Sequence, residues 1–133
     1  MSEVYVDNRY PLSALTAKVI EAAHEVHRTL GPGFREVIYQ RSLARELPLY
    51  GLDHEREVWI EVLYKGEQVG RRRVDFVIGN ETGNVMLEIK AKGALEEVDF
   101  VQALSYLKAS GFHVGLLINF GSKRLQIKRL ANG

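Results

Sequence analysis

Apolar residues recur at helical spacing from Ser13 to Leu30. Leu15, Val19, Ala22, Ala23, Val26 and Leu30 draw one stripe. This predicts an amphipathic helix with Ser13 as its N-cap, stopped by Gly31-Pro32-Gly33. A second helix is expected from about Phe34 to Leu47, ahead of Pro48 and Gly51. It turns Val37, Ile38, Leu43, Ala44 and Leu47 toward a core. The period then drops to two. From His54 to Tyr64, alternation places Val58, Ile60, Val62 and Tyr64 on one face of a strand. Lys65-Gly66-Glu67-Gln68 reads as a hairpin turn. Val69 to Ile78 alternates again, with Val74, Phe76 and Ile78 on one side and Arg71, Arg73, Asp75 and Val77 on the other. The turn formers of Gly79 to Asn84 lead to a third strand, Val85 to Ala91. A helix from about Leu95 to Ser110 is expected to bury Val98, Val101, Ala103, Leu104 and Leu107, with Gly111 as its cap. Val114 to Phe120 is almost continuously apolar, the pattern of a strand covered on both faces. Leu125 to Leu130 alternates basic and apolar residues, as an edge strand does.

The predicted order is α-α-β-β-β-α-β-β. A helix between the third and fourth strands implies a crossover and a parallel pair. The expected class is therefore α/β, with a mixed central β-sheet flanked by α-helices. At 133 residues, with no internal repeat or linker, one domain over 1–133 is expected. Apolar residues at 46% and charged residues at 26% suit a folded domain. The absence of cysteine excludes disulfides, thiolate zinc sites and cysteine nucleophiles, and fits a reducing compartment. No apolar run has the length of a membrane span, and Met1 to Asp7 lacks a secretory pattern. A cytoplasmic protein without membrane contact is expected. The net charge of +1 does not announce a polyanion partner, but Arg71-Arg72-Arg73 and the tail residues Lys123, Arg124, Lys128 and Arg129 are local basic clusters.

Chemistry concentrates around Val85-Met86-Leu87-Glu88-Ile89-Lys90-Ala91. Glu88 and Lys90 lie two apart on a strand, so both leave the same face. Asp75 lies on the preceding strand and approaches Glu88 if the two strands pair as a hairpin. Opposed carboxylates repel unless a cation lies between them. Mg2+ takes oxygen ligands, commonly one or two carboxylates together with water and phosphate. An acid followed by Glu-x-Lys therefore suits metal-assisted hydrolysis of a phosphodiester. The pair alone also occurs on solvated sheet faces. Its company here is Glu36, at the opening turn of a helix, and Gln102 and Tyr106, four apart on one helical face. His24 and His27, three apart on the first helix, read as packed or capping groups or as metal ligands. Trp59 reads as a core residue or a base-stacking platform.

His27-Arg28-Thr29-Leu30-Gly31-Pro32-Gly33-Phe34-Arg35-Glu36-Val37-Ile38-Tyr39 resembles the signature of the GxxExxY family, with Gly33, Glu36 and Tyr39 in the named positions. That family is placed in the PD-(D/E)XK nuclease superfamily. The resemblance continues through Arg73-Val74-Asp75-Phe76, Leu87-Glu88-Ile89-Lys90, Gln102 to Leu107 and Gly115 to Gly121, covering about residues 13 to 130. It implies a restriction-endonuclease-like core with its carboxylates at one end. It also implies roles: Asp75 and Glu88 as metal-binding acids, Lys90 as the catalytic lysine, and Glu36 as an early-helix acid joining the metal site. Gln102 and Tyr106 match the Gln-x-x-x-Tyr helix of the RecB-like branch. Val74 stands where the superfamily name has Pro. The implied cofactor is Mg2+, with Mn2+ as a substitute. The implied partner is nucleic acid, DNA ahead of RNA. From their own residue type and the strand face they share with Asp75, Arg71 and Arg73 read as phosphate clamps or as ion-pair partners of nearby acids such as Glu57 or Glu61. So small a domain is expected to work as a homodimer or with a partner protein. The alternative is a non-catalytic nucleic-acid-binding or protein-interaction module on the same fold.

Overall fold

The structure is a computed structural model that describes residues 12–80 and 83–132. The N-terminal stretch, read above as free of a secretory signal, and Glu81 and Thr82, within the turn expected from Gly79 to Asn84, lie outside the described residues. Helix α1 runs over Ser13–Leu30 and α2 over Glu36–Glu46, followed by a 3-10 turn, Leu47–Tyr50. Strands β1 (Asp53–Tyr64), β2 (Glu67–Asn80) and β3 (Gly83–Lys90) come next. Helix α3 (Glu97–Ser110) then leads to β4 (Val114–Asn119) and β5 (Gln126–Ala131). The order matches the pattern of apolar positions. The sheet is ordered β1-β2-β3-β4-β5, with β3 and β4 parallel and the other pairs antiparallel. This is a mixed α/β sheet flanked by helices. No helix among the described residues is long and apolar enough to cross a membrane.

Two apolar clusters hold the layers together. On one face, α1 and α2 pack Leu15, Val19, Ala23, Tyr39 and Leu43 against Phe76, Ile78, Leu87, Ile89, Leu116 and Ile118. On the other, Ala103 and Leu107 of α3 pack against Ile60, Val74, Met86, Leu117 and Leu130. Every residue of β4 is buried, as its continuous apolar run requires.

Several expectations fail in detail. Leu12, in a left-handed conformation, occupies the N-cap of α1 in place of Ser13, and no side chain caps the helix. Val98 and Val101 are exposed, at 66% and 52%. The buried line of α3 is Asp99, Ala103 and Leu107, at spacing four. Asp99 turns inward because it accepts from the Glu96 N–H and from Lys92, rotating the valines outward. Tyr64 is exposed at the hairpin tip, where Lys65 and Gly66 both have positive φ and form a two-residue turn.

The largest departure lies in β2. Regular alternation puts Val74, Phe76 and Ile78 on one side. Instead Phe76 and Ile78 pack under α1 and α2, while Val74 packs under α3. The β1–β2 ribbon therefore changes face between Val74 and Phe76. Opposite this point in β1, between the pairs Arg56↔Phe76 and Val58↔Val74, stands Glu57 with φ 53°. A left-handed residue inside a strand breaks the two-residue period. Beyond the break the ribbon forms an arm that packs on α3 through Val58, Ile60 and Val74, with Trp59, Leu63, Tyr64 and Val69 exposed.

Candidate active site

Asp75 sits at that break. The β2–β3 ladder ends at Phe76↔Leu87. One step further, Asp75 and Glu88 replace ladder bonds with side-chain bonds. The Asp75 N–H donates to Glu88 Oε1 at 2.9 Å, and the Ile89 N–H donates to Asp75 Oδ2 at 2.7 Å. The strands fork here, and the two carboxylates fill the fork. Glu88 is 7% exposed.

Each carboxyl is unfavourable as a bare charge. Burial first, then the Asp75 charge, pushes the Glu88 pKa up to about 8, against the pull of the Asp75 N–H and of Lys90. Burial also raises Asp75, offset in part by the Ile89 N–H and the Gln40 amide. Glu36, the first residue of α2, lies at the exposed mouth of the pair. Burial of its carboxyl, then Asp75, raises its pKa, while Lys90 acts the other way.

The loop before Glu36 is pinned from below. Gly31 and Gly33 take φ of 70° and 110°, which side chains disfavour. The Tyr39 hydroxyl donates to the Gly31 carbonyl at 2.6 Å and accepts from the Phe34 N–H at 3.2 Å. Its ring stacks on Phe120 at 5.0 Å. Tyr39 thus packs beneath the site and sets where α2 begins.

Lys90 ends β3. Its Nζ donates to Gln102 Oε1 at 3.2 Å and lies 4.0 Å from Asp99 Oδ1. The structure therefore gathers Asp75, Glu88 and Lys90, with Glu36 in electrostatic reach and Gln102 on Lys90. Tyr106, one turn beyond Gln102, packs against the α3-side cluster. Among the described residues its hydroxyl bonds to no site residue. Arg71 and Arg73 lie on the arm, over the Trp59 ring at 4.3 and 5.2 Å. Arg73 also meets Glu57 at 4.0 Å. His27 is a structural group: its Nε2 is bonded to the Ser122 carbonyl at 2.9 Å.

Three residues that the pattern did not single out complete the site. Gln40 Nε2 donates to Asp75 Oδ1 at 3.0 Å, and Arg56 donates to Gln40 Oε1 at 2.8 Å. Arg56 thereby fixes which end of the Gln40 amide faces Asp75. Asp99 braces Lys90 and Lys92 together. Gln40 follows Glu36 by four residues, so the spacing alone puts both on one helical face. Asp99 precedes Gln102 by three residues on α3 and so shares its face; Arg56 carries no such local signal.

The sequence profile described as the PD-(D/E)XK nuclease superfamily matches residues 13–130. The chain belongs to the PD-(D/E)XK nuclease superfamily. Among solved structures, "Crystal structure of SSO0001" is similar at 20% identity and a TM-score of 0.56. The match covers 73% of this chain and 50% of that one, so this superfamily member spans half of the neighbour's length. The likeness is one of fold. No curated protein sequence matches the chain.

Proposed function

We propose that this superfamily member, of the GxxExxY branch, is a Mg2+-dependent nuclease that hydrolyses phosphodiester bonds, in DNA ahead of RNA. The fork of Asp75 and Glu88 beside Lys90 carries the reading. Among the described residues no three carboxylate or imidazole groups stand close enough to enclose a metal ion. Two buried carboxylates at one fork nevertheless fit Mg2+, which commonly binds one or two acids and leaves its other positions to water and phosphate. Asp75 and Glu88 would hold it, with Glu36 adding charge through water from the mouth. When bound there, the ion supplies an acidified water and neutralises phosphate charge.

The chain's own groups do the rest. Lys90 donates to the phosphate oxygens as charge grows on them. Gln102 occupies Oε1 with Lys90 and so orients the amine. Gln40, set by Arg56, holds the Asp75 carboxylate in one orientation. Arg71 and Arg73 bind the flanking backbone. Tyr106 packs in the cluster under α3, one turn from Gln102, and supports the helix that carries Gln102. In hydrolysis, water oxygen bonds to phosphorus and the bond to the leaving sugar oxygen breaks; the water gives up one proton and the sugar oxygen takes up one, directly or by exchange through solvent. A cysteine-free chain of this kind suits the cytoplasm.

The alternative is a nucleic-acid-binding module on the same fold that does not cut. One assay separates them. Linear and circular duplex, single strands, branched DNA and RNA are incubated with protein and Mg2+. Cleavage that falls about a hundredfold or more in Lys90→Ala supports the nuclease. Binding with no cleavage, or equal residual cleavage in both proteins, selects the second reading.

A further inference from the structure

The β1–β2 arm carries a grouping of its own on the face away from α3. Trp59 is 51% exposed. It lies directly opposite Arg73 and diagonal to Arg71. Both guanidinium groups lie over its ring, at 4.3 and 5.2 Å. Glu61 faces Arg71 across the ladder, yet among the described residues no carboxylate lies within ion-pair distance of Arg71. Arg71 stacks instead. A stacked guanidinium keeps its N–H edge free for phosphate oxygens. The one carboxylate near Arg73, Glu57, stands at 4.0 Å with both side chains half exposed, a weak hold that phosphate can displace. Along β2, Arg73 and Arg71 precede Asp75 by two and four residues, about 7 and 13 Å. The arm thus forms a track leading away from the carboxylates.

We infer that Trp59, Arg71 and Arg73 form a subsite for an unpaired nucleic-acid strand, one base stacking on the part of the indole that the guanidinium groups leave exposed while the arginines hold adjacent phosphates. An exposed ring selects an unpaired strand because duplex bases hide their faces in the stack, except at ends. The inference rests on the proposed nuclease reading and names the form of its substrate.

Trp59 is the sole tryptophan of the chain, so its fluorescence reports this subsite alone. The full-length Lys90→Ala protein, which leaves strands uncut, is titrated with a labelled short oligothymidylate, an oligouridylate and a blunt hairpin duplex. Label anisotropy and tryptophan emission are followed together. Single strands should quench Trp59 in step with binding and bind more tightly than the duplex. Trp59→Ala should weaken binding about tenfold, with Trp59→Phe restoring most of it. Arg71→Ala with Arg73→Ala should weaken it and flatten its salt dependence. Comparison of the two oligonucleotides tells DNA from RNA. Binding without quenching, equal affinity in Trp59→Ala, preference for the duplex, or no binding at all would overturn the inference. Cleavage that survives Trp59→Ala unchanged sinks the subsite and leaves the nuclease standing. Quenching by single strands, with a wild-type protein that cuts none of them in Mg2+, sinks the nuclease and leaves the subsite.

Discussion

Glu88 concentrates the tension of the site. Its proton is held more tightly in the folded chain than in the unfolded one, because burial and Asp75 raise its pKa to about 8 from an ordinary 4.5. The sign follows by linkage. Stability from this group is complete below about pH 4.5 and drains away as the pH rises through about 8. Asp75 and Glu36 shift in the same direction and add to it. The metal-free protein should therefore melt at a lower temperature at pH 8.5 than at pH 5.5. Glu88→Gln should remove most of that slope, and Mg2+ should raise the melting temperature most at the alkaline end. A flat profile in the wild type would contradict the buried, opposed pair. Gln40 gives a second test. Gln40→Met keeps its volume but takes away the donor to Asp75 Oδ1. Mg2+ affinity by calorimetry should fall about tenfold, the consequence of losing roughly 1–2 kcal/mol of charged hydrogen bonding. An unchanged affinity would make Gln40 a packing residue.

Elements hold the strand that carries Glu88 and Lys90 by its end. Beyond Lys90 the chain leaves β3 and is tied to the end of β4. Buried Asn119 accepts from the Lys92 and Gly121 N–H groups through Oδ1, and donates to the Lys92 carbonyl and Gln126 through Nδ2. The Phe120 N–H donates to the Lys90 carbonyl at 2.9 Å. Gly121 passes so close that an added Cβ would lie 2.3 Å from the Lys92 nitrogen. Backbone on both sides cannot yield cheaply. Gly121→Ala should cost at least about 2 kcal/mol in denaturant unfolding, through strain of this kind. Gly93→Ala, with open space around its Cα, is the control and should cost far less. Similar losses in both would show that the β3–β4 clamp is loose.

The molecule as a whole leaves apolar surface uncovered. Val98 and Val101 on α3, with Leu63, Tyr64 and Val69 on the arm, are all more than half exposed. Exposed apolar groups in such number favour association. A homodimer, or a complex with a partner protein, remains our proposal for the working form. Light scattering across a dilution series should show mass falling from dimer to monomer, and Val98→Lys with Val101→Lys should move that transition to higher concentration. A monomer at every concentration would leave only the partner protein.

Element order, the parallel β3–β4 pair and the buried β4 were all readable from apolar periodicity, because regular backbone ties spacing to facing. The pairing of Asp75 with Glu88 was readable for the same reason: two adjacent antiparallel strands bring opposed residues together. The face change at Asp75 was not. Periodicity speaks only for regular strands, and the left-handed Glu57 that breaks this one has no signature in its residue type. Nor did the pattern point to Val98 and Val101 facing water, since the turn of α3 is set by Asp99 reaching Lys92. Gln40 and Arg56 join Asp75 from a helix and from a strand that only packing brings near. Residue types along the chain specify which elements form and what chemistry they carry. Where long-range packing and one irregular backbone angle select the contacts, folding in three dimensions assigns them, because those free energies depend on neighbours distant in sequence.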